Sequence, residues 1–190
     1  MRLFAGLLPP PPVRDELAHA LEPHRDGWPG LRWLSPVNWH VTLSFFGEVP
    51  DPVLPELRVR LGRAAARHAP LTVSFAGGGA FPSPRRARVF WTGLTGDRLP
   101  LTRLADSVAA GGRRAGIERA ESRRFAPHLS LARSRADTDL RPLVEAFETF
   151  AGTPWQVDAV HLVRSHLGAT VRYETVAEWP LTARAPRGQS

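Results

Sequence analysis

Two kinds of apolar spacing alternate along this chain. Arg2 to Leu8, Leu31 to Leu34 and Trp39 to Phe46 carry short apolar runs that predict strands. Between the first two, Val13, Leu17, Ala20 and Leu21 return at helical spacing. They predict a helix from Val13 to Glu22 that Pro23 ends. Leu54, Leu57, Leu61 and Ala65 line one face of a second amphipathic helix, Leu54 to His68. Two more helices are predicted over Leu99 to Arg114, ending near Gly116, and over Leu140 to Phe150. The remaining strands are predicted over Leu71 to Ala76, Val89 to Leu94, Phe125 to Ala132, Val157 to Val163 and Val171 to Trp179. Gly77-Gly78-Gly79 interrupts the pattern after Ala76. Phe81 to Ala87 reads as a loop rich in Pro and Arg, and a loop around Gly168 joins the closing strands. This alternation of strands and helices implies an α+β or α/β domain. Residues 1–182 read as one domain, and the polar residues 183–190 as a flexible tail.

Within two of the strands the same tetrad occurs, H-x-[ST]-L: His40-Val41-Thr42-Leu43 and His128-Leu129-Ser130-Leu131. With 7 His, 21 Ser plus Thr and 23 Leu among 190 residues, chance supplies roughly 0.09 such tetrads per chain. Two therefore ask for a mechanism. Side chains alternate faces along a strand, so each His shares a face with the hydroxyl two positions later. The tetrads are separated by nearly half the chain. Each follows a Pro and precedes a turn and a helix, which predicts two related lobes whose motif strands face each other across a cleft.

Composition narrows the chemistry. There are no Cys, which removes disulfides, Cys-ligated zinc and a Cys nucleophile. A zinc site built on the two His lacks an obvious third ligand at metal spacing, so neither metal nor cofactor is expected. The formal charge is +7, and every one of the 25 basic residues is Arg. Arg pairs with phosphate in a planar fork, which favours an anionic partner such as RNA or a nucleotide. A codon bias toward Arg would give the same charge. No apolar run approaches the roughly 20 residues of a membrane span. The apolar N-terminus is short and lacks a small-residue cleavage site. A cytoplasmic monomer with no membrane partner and no obligate protein partner is the expectation.

The flanks of the tetrads carry a resemblance. Asn38-Trp39-His40-Val41-Thr42-Leu43-Ser44-Phe45-Phe46-Gly47-Glu48-Val49 and Phe125-Ala126-Pro127-His128-Leu129-Ser130-Leu131-Ala132-Arg133 resemble the two signatures of the 2H phosphoesterases. Arg2-Leu3-Phe4-Ala5-Gly6-Leu7 and Arg172-Tyr173-Glu174-Thr175-Val176 resemble the ends of the RNA 2',3'-cyclic phosphodiesterase branch, also called 2'-5' RNA ligase. The resemblance spans Arg2 to about Leu181. It implies a bilobal α+β fold: two pseudo-symmetric lobes, antiparallel sheets lining a central cleft, helices outside. It implies opening of a 2',3'-cyclic phosphate at an RNA end to a 2'-phosphate. Ser130 stands where Thr is common, keeping the hydroxyl and dropping a methyl.

Opening such a ester needs a base for water, an acid for the leaving oxygen, and donors for the non-bridging oxygens, with base and acid on opposite sides of phosphorus. Two imidazoles meet that need, because one can be neutral and the other protonated near neutral pH. The resemblance assigns His40 as proton donor and His128 as proton acceptor; the residues alone allow either order. Thr42 and Ser130 would donate hydroxyl hydrogen bonds to the phosphate. Arg133 falls on the opposite face of a straight strand and reaches the phosphate only past a bend; it is a phosphate-binding candidate by resemblance. Ligation of tRNA halves through a 2'-5' bond, and an RNA-binding module without turnover, are the competing readings. Arg85-Arg86-Ala87-Arg88 is a candidate clasp for RNA backbone or an ordinary solvated loop. Trp33, Trp39, Phe81 and Trp91 are expected in the core, with one available to stack on a base. His161 and His166 read as structural or exposed, and His19, His24 and His68 as solvated.

Overall fold

The computed structural model describes residues 1–117, 125–168 and 171–184. Among them the strands are β1 (Arg2–Leu7), β2 (Arg32–Trp33), β3 (Val41–Glu48), β4 (Leu71–Phe81), β5 (Ala87–Gly96), β6 (His128–Thr138), β7 (Trp155–Val157), β8 (Ala159–His166) and β9 (Arg172–Pro180). The helices are α1 (Pro11–Arg25), α2 (Leu54–Ala65), α3 (Arg98–Arg114) and α4 (Arg141–Ala146). The expected tail falls on 183–190, of which 185–190 lie outside the described residues; the loop around Gly168 lies partly outside them.

Several boundaries differ from the pattern reading, each for a local reason. α1 begins on Pro11 and Pro12, at positions whose missing N–H groups have no helical partner in any case. Pro23 does not stop it; the helix continues to Arg25 with the proline in its last turn. β4 runs through the glycine run that was expected to end it. Gly77, at φ +63, makes a bulge there, and pairing with β5 resumes at Gly78. β6 extends past Ala132 to Thr138, and α4 is a short helix ending at Ala146.

All nine strands join one antiparallel sheet, ordered β7-β4-β5-β6-β3-β1-β8-β9, with β2 added beside β6. Read outward from its middle, the order is β3-β1-β8-β9 on one side and β6-β5-β4-β7 on the other. These are the two lobes. They are joined edge to edge by one pairing, Val41 opposite Leu129. The helices interleave. α2 and α3 pack together under the β3–β9 lobe. α1 and α4 sit under the other: Glu16 accepts the Thr153 N–H at 2.9 Å, and Phe147 packs on Phe90 of β5. One sheet face therefore carries a continuous core that includes Leu3, Leu7, Val41, Leu57, Leu61, Phe75, Phe90, Leu104 and Leu129, nearly all fully buried. Each such side chain stabilises the fold by about 1.5–3 kcal/mol through burial. Among the described residues the other face carries no α-helix, and it holds the two histidines.

Candidate active site

The pairing of Val41 with Leu129 assembles the site. Those residues are the second positions of the two tetrads, so antiparallel register sets His40 across from Ser130 and Thr42 across from His128. Opposed residues share a face, and Val41 and Leu129 are fully buried on the core side. His40, Thr42, His128 and Ser130 therefore stand together on the cleft side, each half-buried. The expected alternation holds, and all four predicted residues meet.

The two rings are held alike. His40 Nδ1–H donates to the Asn38 carbonyl at 2.8 Å, and His128 Nδ1–H donates to the Ala126 carbonyl at 2.7 Å. Each partner lies two residues upstream, where the chain enters the motif strand. A carbonyl accepts but never donates, so it fixes the proton on Nδ1 and leaves Nε2 as the working nitrogen of each neutral ring. Aromatic walls complete the support. His40 lies 4.4 Å from Phe4 and meets Tyr173 edge-on at 4.9 Å, ring centroid to centroid. His128 meets Phe81 edge-on at 4.9 Å and Trp91 at 6.0 Å. Phe81 and Trp91 thus leave the expected core for the cleft. Phe4 and Tyr173 were not singled out from the sequence. Their signal was membership of the two terminal segments, Arg2 to Leu7 and Arg172 to Val176, that resemble the ends of the family.

Burial pushes the His40 imidazole below its ordinary value, against the Asn38 carbonyl, which favours the charged ring; the charges of Arg133 and His128 press the same way as burial. That Arg133 acts on His40 reflects a bulge. Trp91 pairs with Ser130, but Phe90 pairs with Ala132, so Leu131 is an extra residue in β6. Leu131 and Ala132 are consecutively buried, and Arg133 emerges on the cleft face. β3 has the same bulge: Gly6 pairs with Thr42 and Ala5 with Ser44. The position equivalent to Arg133 is Phe45, with the Arg2 guanidinium 4.7 Å over its ring.

Elsewhere the structure corrects the reading. Arg86 and Arg88 of the stretch read as either an RNA clasp or a solvated loop both grip Asp137, at 2.8 and 2.6 Å, and hold the outer end of β5 to β6. His68 is half-buried and hydrogen bonds Ser107 at 2.8 Å, and His24 packs edge-on against Phe147 at 6.1 Å; neither is simply solvated. His166 pairs with Glu174 at 2.7 Å, and His161, 3.6 Å from Glu178, lies outside the tetrad cluster. Among the described residues no three His, Asp or Glu side chains gather as a metal site would need, and no helix is long and apolar enough to cross a membrane.

The model of the 2'-5' RNA ligase superfamily matches residues 9–169, most of the chain and both tetrads. The chain belongs to that superfamily. A member from Thermus thermophilus, named RNA 2',3'-cyclic phosphodiesterase, is 32% identical over 186 residues, which cover 94% of this chain and 88% of that one. A Geobacillus stearothermophilus protein of the same name is 30% identical over 85% of this chain; the match spans about half, 51%, of its length. Among solved structures, LigT of Escherichia coli in complex with 3'-AMP superimposes with a TM-score of 0.79 at 25% identity. That match covers 96% of this chain and 98% of LigT. The likeness supports the curled antiparallel sheet with flanking helices as the superfamily fold.

Proposed function

We propose that this superfamily member hydrolyses RNA-terminal 2',3'-cyclic phosphates to 2'-phosphates by metal-independent catalysis from two histidines. The enzyme class, a phosphoric diester hydrolase, is the one its relatives' shared name carries. That LigT is seen with 3'-AMP supports a nucleotide ligand for the same cleft here. The observation that carries the mechanism is the Val41–Leu129 register, which gathers two imidazoles with free Nε2 atoms and two hydroxyls into one patch.

In this reading water attacks phosphorus opposite the 3' oxygen. His128 Nε2 takes the proton from water as the new P–O bond forms. His40 Nε2 gives its proton to O3' as the P–O3' bond breaks. Exchange with solvent then restores both rings. Thr42 and Ser130 donate to the non-bridging oxygens, and Arg133 adds a fixed positive charge. Burial, which lowers the His40 imidazole, works against the donor role in the empty cleft, and a bound phosphate anion opposes that effect by favouring the protonated ring.

The test is product analysis on 2',3'-cyclic AMP and a short RNA with a cyclic end, with EDTA present. The expected product is the 2'-phosphate alone. His40→Ala and His128→Ala should each lose about 10²–10⁴-fold in kcat. Near-full activity in either variant, or activity that EDTA abolishes, refutes the mechanism. Binding without turnover at any pH favours the RNA-binding module instead.

A further inference from the structure

Next to the catalytic patch the sheet sets two guanidinium groups against each other. β2 pairs with β6 through Arg32 opposite Arg133 and Trp33 opposite Ala132. Ala132 is fully buried, and Trp33 packs edge-on to core residue Phe90 at 6.2 Å. Trp33 therefore faces the core, and Arg32 emerges beside Arg133 on the cleft face, both exposed. Like charges directly opposed across antiparallel strands are destabilising. Neighbouring arginines relieve such repulsion with acids: Arg86 and Arg88 on Asp137, Arg141 on Asp139 at 2.6 Å. Among the described residues neither Arg32 nor Arg133 has an ion pair or side-chain hydrogen bond. The strand bearing Arg32 is also anchored. The Leu34 N–H donates to the Leu131 carbonyl at 2.9 Å, and Leu31 is buried. Two neighbouring guanidinium groups without an acid partner among the described residues form a site for anionic oxygens.

We propose that Arg32 grips a second phosphate, the internucleotide phosphodiester on the 5' side of the terminal nucleotide, and so makes this chain select oligonucleotide ends over mononucleoside cyclic phosphates. The proposal rests on the function proposed above. Positions run outward along β6 from His128 and Ser130 to Arg133, then across to Arg32. A chain whose cyclic end is at the histidines carries its next phosphate away from them. A mononucleoside cyclic phosphate has no such group.

The experiment compares kcat/KM for 2',3'-cyclic AMP with that for a diadenosine dinucleotide ending in a cyclic phosphate, in wild type, Arg32→Gln and Arg32→Lys. The dinucleotide-to-mononucleoside ratio should fall about 10-fold or more in Arg32→Gln, the scale of a lost charge-assisted hydrogen bond. Lys restores charge without the fork and should recover part of the ratio. The salt slope of log kcat/KM on the dinucleotide should lose about 0.7 in Arg32→Gln, one single-strand phosphate contact. A ratio within twofold of wild type overturns the proposal, as does an equal loss on both substrates. A turnover-independent arm melts both proteins with inorganic pyrophosphate. Wild type should gain more in Tm than Arg32→Gln, and equal gains overturn the proposal. If wild type turns over neither substrate, the proposed function fails, and the melting arm alone decides whether Arg32 holds an anion.

Discussion

Gly79 offers a measure of how tightly the cleft wall positions His128. In β4 it lies opposite Trp91 of β5, whose indole crosses the space a side chain would fill. A Cβ at Gly79 would overlap the ring atoms Cζ2 and Cη2 and lie 2.7 Å from Cε2, where ordinary contact begins at 3.4 Å. Trp91 sits against His128 and packs at a tilt on Phe81, 5.1 Å between centroids, so the indole displaced by Gly79→Ala disturbs the imidazole's wall. The retreat needed is roughly 1 Å, and overpacking of this kind costs about 1–3 kcal/mol. A displacement of that size at a catalytic group lowers activity about 10²-fold. Urea unfolding and kcat/KM on 2',3'-cyclic AMP would be measured for Gly79→Ala, Trp91→Leu and the double variant. Removing the indole removes the clash, so the added methyl should become nearly neutral in the Trp91→Leu background. A stability loss of equal size in both backgrounds refutes the clash. A loss of stability without loss of activity refutes the idea that Trp91 positions His128.

Three further predictions concern the ring and the joint. NMR titration of the His40 imidazole should place it below the ordinary 6.5 in the free protein and higher when inorganic phosphate binds; a free-protein value above 6.5 contradicts the role of burial. Because the folded pKa is depressed, the unfolded chain binds more protons between that value and 6.5, so stability falls as pH drops through this window, and His40→Gln should flatten the fall in a pH series of urea melts. Leu129→Ala removes a fully buried side chain from the joint between lobes and should cost about 2–5 kcal/mol by urea unfolding; a cost under 1 kcal/mol would mean that the joint repacks freely.

Both tetrads and the face each His shares with its hydroxyl were legible because strand alternation is a strict period of two; the motif strands, expected to face each other across a cleft, are instead neighbours in one sheet, paired at Val41 and Leu129. Val41, Leu43, Leu129 and Leu131 go to the core, and the residues between them to the cleft. Bulges were not legible, since an extra residue shifts every later side chain to the other face and leaves little trace in composition. The sequence reading could state only that Arg133 needed a bend. The trace that did exist was a pair of small or apolar residues at the close of each tetrad, Leu43-Ser44 and Leu131-Ala132, consecutively buried. The glycine run of β4 misled for a related reason: Gly78 and Gly79 supply room for Phe147, Phe90 and Trp91, not a break. Charge was the poorest guide. Arg85, Arg86 and Arg88 stood out by closeness in sequence and Arg32 did not; tertiary pairing separates Arg86 and Arg88, held by Asp137, from Arg32 and Arg133.

In the proposed mechanism the two lobes are alike where protons would move and different where a ligand would be held. Both imidazoles donate from Nδ1 to a carbonyl two residues back, and both tetrads lead into a bulge. Beside the hydroxyls the likeness ends: Thr42 faces Gly6, while Ser130 faces Trp91. Past the bulges Phe45 lies under Arg2, while Arg133 stands opposite Arg32. A site with full two-fold symmetry would accept a cyclic phosphate in either orientation and protonate either ribose oxygen. Groups that move protons can be duplicated without harm, because either histidine is competent by chemistry. Selection of one leaving oxygen must then come from the unequal walls, with the aromatic and glycine side fixing where the nucleoside lies and the guanidinium side fixing where the rest of the anionic chain runs.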